Sequence, residues 1–232
     1  MLPHRVDDAT KLILGRELWT APTKLPPGSF VLDLGGGPGL FGAQLKTQNN
    51  HIISMDIKRD LLYIRPNVIQ EGIEPVQGNA LYLPFKNNSF DIILARAVLH
   101  HFPDHLDTAF KELHRILKSN GTILIEEPGH YNPLACIIRK TISTTSHESG
   151  EEPLIPSHLV KKTKTYFQVK EISYYYLLSY GLPNLAGLVS ERFKGLIRKI
   201  ARAVVRIDRR LLNHKFFQPF CGYVLIVAKK NY

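Results

Sequence analysis

The chain has 232 residues, enough for one sizeable α/β domain and too few for two domains with separate cores. Apolar residues make up 44% of it and charged residues 22%, which excludes wholesale disorder, collagen-like repeats and long coiled coils. Thirty Lys and Arg against twenty Asp and Glu leave a formal charge of +10, which points to an anionic partner, nucleic acid or an acidic membrane surface.

In chain order, Phe30 to Leu34 is a short apolar run between Pro26-Pro27-Gly28 and a glycine cluster, and reads as a buried strand. Leu40 to Lys46 suits a helix. His51 to Ile57 reads as a second strand ending in Met55-Asp56, with a polar helical stretch after it and a weaker strand at Pro75 to Gln77. Phe90 to Ala95 is a further buried strand. Leu106, Ala109, Phe110, Leu113, Ile116 and Leu117 then recur at helical spacing, with Asp104 as N-cap and Asn120-Gly121 as the stop. Thr122 to Glu126 supplies a fifth strand. Beyond Pro128 the pattern changes: residues 129–163 read as a loop or cover, with a Thr/Ser/His/Glu-rich stretch at Thr141 to Glu152. Phe167 to Tyr176 and Phe220 to Lys230 read as two last strands separated by a mostly helical insert. The expected fold is α/β: a doubly wound, mostly parallel seven-stranded sheet with helices on both faces and a helical insert before the last strand, as a single domain over residues 1–232.

Cys136 and Cys221 form no CxxC pair, and a reducing cytoplasm fits this cysteine usage. Met1 to Trp19 lacks the uninterrupted apolar run of a signal peptide. The apolar stretch Tyr223 to Ala228 is far short of the roughly 20 residues of a spanning helix, so the expectation is a protein not integral to a membrane.

The strongest local signal is Val31-Leu32-Asp33-Leu34-Gly35-Gly36-Gly37-Pro38-Gly39, placed between the first strand and the first helix. Glycines there let the backbone turn sharply and approach a ligand closely, and the helix beyond offers unpaired N–H groups. The spacing departs from a dinucleotide fingerprint, because the sixth position from Gly35 is Leu40. An acidic residue two positions before G-x-G-x-G resembles motif I of the class I S-adenosylmethionine-dependent methyltransferases. Asp56 at the end of the second strand, Gly78-Asn79-Ala80, Leu83-Pro84-Phe85 with Ser89-Phe90-Asp91, Ala97 to Asp104, Leu113 to Lys118, and Gly121 to Pro128 follow in the order and spacing of that family. The resemblance covers about residues 28–128. It implies the Rossmann-like methyltransferase fold and S-adenosyl-L-methionine as cofactor, leaving S-adenosyl-L-homocysteine.

Carried over by resemblance, Gly35, Gly37 and Gly39, with Gly36 among them, wrap the methionine part of the cofactor, and Asp33 anchors its amino group through the loop. Asp56 holds the ribose, with Ile57 beside it. Asn79 and Ala80 meet the adenine; many relatives have Asp where Asn79 stands, and the amide oxygen accepts the same bond without charge. Arg96 lies just after the fourth strand, either as a cofactor or substrate contact or as a surface charge. Methyl transfer from a sulfonium is an in-line displacement, so a base is needed only where the acceptor must lose a proton. His100 and His101 stand at the carboxyl end of the fourth strand, beside the crevice where open α/β sheets bind ligands. They read either as a general base, since imidazole exchanges a proton near neutrality, or as residues that pack and hydrogen-bond a turn. Glu127 and His130 are further candidates. His101, Asp104 and His105 are not read as a metal site, because Pro103 argues against one continuous helix through both histidines.

From His158 to Tyr232 there are 15 Lys and Arg against 3 Asp and Glu, while the other 157 residues carry 15 against 17. The basicity is therefore local. Over residues 188–212, apolar Leu196, Ile200, Val204, Ile207 and Leu211 recur at helical spacing among Lys199, Arg202, Arg206, Arg209 and Arg210, as a basic amphipathic helix or two with a break near Ile207-Asp208. Such a helix either packs by its apolar face with a solvated basic face, or contacts an anionic membrane at its inner, cytoplasmic side, or holds RNA phosphates. The expected activity is methyl transfer to a small, hydrophobic or lipid-like acceptor; the alternatives are an RNA or tRNA methyltransferase and an inactive cofactor-binding relative. The acceptor atom and the oligomeric state are not encoded in any pattern of the chain.

Overall fold

The computed structural model describes residues 27–37, 39, 42, 50–62, 72–141, 153–181 and 191–231. Apart from Gly42 the helix expected over Leu40 to Lys46 lies outside them, as do residues 1–26, 142–152 and 182–190. The chain divides into two compact units, a larger one of Pro22–Pro128, Ser149–Ser173 and Leu225–Tyr232, and a smaller one of Met1–Ala21, Gly129–Glu148 and Tyr174–Val224.

The sheet has seven strands: β1 Phe30–Leu34, β2 His51–Asp56, β3 Ile73–Gln77, β4 Phe90–Arg96, β5 Leu117–Pro128, β6 Gln168–Tyr175 and β7 Tyr223–Lys229. Their order is β3-β2-β1-β4-β5-β7-β6, and the first five are parallel. β7 runs against β5, since Gly129 N–H bonds the Gly222 carbonyl at one end of β5 while Lys230 N–H bonds the Gly121 carbonyl at the other. The chain moves outward from β1 to β3 and then crosses back to β4, so the order reverses between β1 and β4. The loops leaving these two strands flank the crevice in which open α/β sheets bind ligands.

Register explains the core. Ile73, Ile52, Val31 and Ile92 pair across four strands, and all are at most 6% exposed. Two residues on, the same face carries Asp33 opposite Ser54. The polar step in an apolar ladder marks where the sheet stops being scaffold.

Helices α1 Arg59–Leu62 and α2 Leu106–Ile116 follow β2 and β4. α2 buries Ala109, Phe110, Leu113 and Ile116. Its N-cap is His105, with no side-chain cap bond, instead of Asp104, because Pro103 opens a 3₁₀ turn over Pro103–His105 that carries Asp104 away from the cap position. The helix also ends at Ile116, earlier than the Asn120-Gly121 stop; Asn120 has φ +61 and makes its turn within β5. On α2, Arg115 binds both Glu112 oxygens at 2.7 and 2.8 Å and the carbonyls of Leu83 and Phe85 at 2.9 and 2.7 Å. One guanidinium therefore fixes the Leu83-Pro84-Phe85 segment. α4 Pro156–Tyr166 belongs to the same unit: Lys162 and Tyr166 both bind Asp107 of α2, at 2.8 and 2.7 Å. Part of the region expected to be a loop or cover is thus a helix packed on α2, with Leu159 and Thr163 buried.

In the smaller unit, α3 Pro133–Thr141 gives a second helix where a loop was expected. Buried Asn132 precedes it; its carbonyl accepts Ala135 N–H at 2.8 Å, and Pro133 occupies the first helical position. The Asn132 amide nitrogen donates to the carbonyls of Tyr176, Leu177 and Phe220 at 2.9, 3.1 and 2.8 Å. Asn132→Asp sets a carboxylate oxygen against those three carbonyls and is expected to cost about 3–5 kcal/mol, read as a fall in Tm; an unchanged Tm removes Asn132 from this role. α5 Glu191–Leu212 is one continuous helix. The break expected at Ile207-Asp208 is absent, because Asp208 points inward: it is 2% exposed and accepts the Leu178 and Ser179 N–H groups and the Ser179 hydroxyl at 2.8, 3.0 and 2.6 Å.

Candidate functional site

The loop after β1 is tied to the end of β2. Gly35 and Gly36 N–H both reach the Met55 carbonyl, at 2.8 and 3.2 Å, and Gly37 N–H binds Asp56 Oδ2 at 3.1 Å. Gly35 has φ +67, and a Cβ there would stand 2.6 Å from Val98 Cγ2. A Cβ on Gly36 would fall onto Ser54 Oγ and 2.7 Å from Asp33 Oδ2. Among the described residues nothing stands nearer the missing Cβ of Gly37, at φ +49, than Asp56 Oδ2 at 3.9 Å. Gly35 and Gly36 are therefore glycines because of what lies beneath and beside them, and Gly37 borders open space among the described residues. Gly39, at φ +67, closes the turn onto the Gly36 carbonyl at 2.9 Å.

Asp33 lies under this loop at 2% exposure, accepting Gly42 N–H at 3.1 Å. Burial pushes its carboxyl up to about 7, outweighing the Gly42 N–H and the charge of Arg96, which pull it down. The folded protein holds this proton more tightly than the unfolded chain, so the stability Asp33 contributes is full below its ordinary 3.8 and is lost as pH rises through about 7. Asp33→Asn is expected to flatten the fall in Tm over that range and to raise Tm at about pH 8; a variant whose Tm declines as steeply as the parent's refutes the assignment. Beside it, the Ser54 hydroxyl is the one buried side-chain polar atom without a hydrogen-bond partner among the described residues. Nothing in the local sequence singles out Ser54; its pairing with Asp33 across two strands does.

Asp56 also accepts Lys58 N–H at 2.9 Å through Oδ1, and the adjoining Ile57 is 60% exposed, an apolar surface next to a carboxylate. The Asn79 side-chain oxygen accepts Leu81 N–H at 2.9 Å, closing a turn that fixes its direction, and an amide oxygen has a second lone pair with which to accept a ligand N–H. Ala80 beside it is buried.

The loop after β4 forms the second wall. Ala97 takes φ +48, and the next residues turn back over the end of β5. Glu127, fully buried, accepts Val98 and Leu99 N–H through Oε1 at 2.9 and 2.7 Å, and its Oε2 lies 2.8 Å from His100 Nδ1. A carboxylate only accepts, so Nδ1 carries the hydrogen, and in the neutral imidazole Nε2 is then the acceptor. The exposed His101 ring lies 4.3 Å from that of His100, tilted by 31°. Arg96 pairs with Glu126 at 2.8 Å, its register partner on β5, which makes it an ion-pair member at the strand ends. His130 belongs to the smaller unit, where its ring meets Tyr131 edge-on at 4.6 Å.

A family model of the methyltransferase domain matches residues 32–125, the span from β1 to β5 that carries both loops. Over these residues the chain is similar to the class I S-adenosylmethionine-dependent methyltransferases. It is 29% identical over 161 residues to the uncharacterized methyltransferase YcgJ of Bacillus subtilis, covering 66% of the chain and 60% of the relative. It is 36% identical over 109 residues to the ubiquinone/menaquinone biosynthesis C-methyltransferase UbiE of Vibrio campbellii, covering 44% of the chain and 42% of the relative. The chain thus spans about half the length of these curated relatives. The solved structure of YcgJ superposes with a TM-score of 0.58 at 21% identity, covering 99% of both chains, which supports the fold. The methyltransferase's residues fit the family cofactor: glycines that border open space at Gly37, a carboxylate at a strand end for a diol, and an exposed apolar neighbour in Ile57.

Proposed function

We propose that this methyltransferase methylates a small, largely apolar acceptor, with His100 taking the acceptor proton and Glu127 positioning its ring. When bound, S-adenosylmethionine supplies a methyl group on a sulfonium, an electrophile that needs only a well-placed nucleophile. The residues of the chain do the placing. Gly35, Gly37 and Gly39 wrap the methionine end, Asp56 takes the ribose hydroxyls, and Ile57, Asn79 and Ala80 receive the adenine. Asp33 acts from below by holding the loop through Gly42. His100, with Nδ1–H held by Glu127, presents Nε2 as a base that deprotonates the acceptor as the methyl is transferred. The His101 ring, tilted against that of His100 at 4.3 Å, limits its rotation.

The buried Glu127 carboxylate carries this reading. It binds three donors of the β4 loop at once, so the base and the backbone beside the glycine loop are set by one group. The apolar acceptor is supported by relatives whose names assign them quinone methylation. Titration calorimetry with S-adenosylhomocysteine tests the cofactor site. Transfer of label from methyl-tritiated S-adenosylmethionine to a panel of quinols and phenols tests the acceptor class. Absence of binding overturns the whole reading, while binding with transfer only to RNA overturns the acceptor.

A further inference from the structure

We propose that α5 docks the protein on an anionic lipid surface through Leu196, Ile200 and Ile207, with Lys199, Arg202 and Arg206 alongside. From sequence, one apolar stripe on this helix serves as its packing face. The structure divides it. The side turned inward carries Ala201, Asp208 and Leu212, while Leu196, Ile200 and Ile207 are 58%, 49% and 47% exposed. At about 100° per residue, Leu196, Ile200 and Ile207, with exposed Ala203, align in a stripe of their own about 120° from the buried one. Exposed Lys199, Arg202, Arg206 and Arg210 flank that aliphatic stripe on the side away from the buried one. The helix has three faces, and two of them meet solvent.

Single exposed aliphatics need no explanation, but three on one stripe beside a row of cations form a patch. Among the described side chains of the unit Asp208 is the only carboxylate, and it is buried under Leu178 and Ser179. Beyond the helix end, Phe216 is 75% exposed. Phosphates alone would satisfy the cations and leave the aliphatic stripe in water. A lipid surface takes both, aliphatic side chains at the acyl boundary and cations among the headgroup phosphates. Among the described residues no helix is long and apolar enough to cross a membrane, so contact is in the plane of the surface. Docking is independent of the acceptor proposed above, because it is read as binding and not as methyl transfer. Where both hold, the protein works at the cytoplasmic leaflet, beside a lipid-like acceptor.

The test is flotation of the full chain with phosphatidylcholine vesicles, with and without phosphatidylglycerol. Binding is expected only with the anionic lipid, and the combined variant Leu196→Gln, Ile200→Gln, Ile207→Gln is expected to weaken it about tenfold or more. Arg202→Glu with Arg206→Glu is expected to do the same and to remove its salt dependence. These positions are exposed, so unchanged circular dichroism and Tm accompany the loss; should the triple variant fail to fold, the charge variant decides. Failure to float with anionic vesicles, or equal flotation of the variants that fold, overturns the proposal. So does a salt-steep shift of RNA in the absence of vesicle binding, or a dimer that the aliphatic substitutions dissociate while vesicles remain unbound.

Discussion

Glu127→Gln is expected to lower the rate of methyl transfer by about 10²–10³-fold while leaving S-adenosylhomocysteine affinity and Tm close to those of the parent. The amide oxygen still accepts Val98 and Leu99 N–H, so the loop after β4 keeps its shape. The amide N–H₂, however, now confronts His100 Nδ1, where the carboxylate accepted. Nδ1 must become the acceptor, the hydrogen moves to Nε2, and the base loses its lone pair on the reactive side. ¹⁵N chemical shifts of His100 read the tautomer directly. A tautomer that switches without a fall in rate removes His100 from proton transfer and leaves it the role of packing a turn. Glu127→Ala is a different experiment: it strands buried donors and is expected to cost about 3–5 kcal/mol of stability, confounding rate with folding.

Asp56→Ala is expected to weaken S-adenosylhomocysteine binding about 100-fold or more, since each hydrogen bond to a charged group contributes about 1.5–3 kcal/mol and the change removes more than one. The carboxylate has two jobs. It is placed to accept the ribose hydroxyls, and through Oδ2 it holds Gly37 N–H, the residue that borders open space. Asp56→Asn keeps one accepting oxygen and is expected to lose about tenfold. Calorimetry separates the two variants, and an Asp56→Ala protein that binds like the parent would refute the assignment of the ribose site.

The cofactor half was legible because its chemistry is local. Strand, glycines, helix and a terminal aspartate follow one another in sequence, and the conformations they need, such as φ +67 at Gly35, are properties of single residues. The proposed base and the residue that positions it were legible only as two names. His100 and Glu127 are 27 positions apart, and their 2.8 Å contact exists because parallel β4 and β5 bring their carboxyl ends together. The turn that the Asn79 side chain closes on Leu81 was not legible from spacing, which does not reveal which end of an amide is engaged. Asp104 was displaced from its cap by the proline before it. Ser54 carries no motif, and Arg115 stood in the Leu113 to Lys118 segment without an assigned role; what they bind follows from cross-strand pairing and from the loop that folds over α2.

By itself the sequence determined the succession of strands and helices in a cofactor-binding domain, its glycine loop, and the concentration of positive charge in the last third of the chain, because periodicity, turn chemistry and composition act over a few residues. Only the tertiary structure decided which carboxylates are buried, which histidine is held by which partner, and which of two apolar stripes on α5 is covered. The helical repeat is the same for both stripes; burial depends on what packs against them. Asp208 shows the difference most plainly. In sequence it interrupts a basic helix, and in the fold it turns inward to bind Leu178 and Ser179.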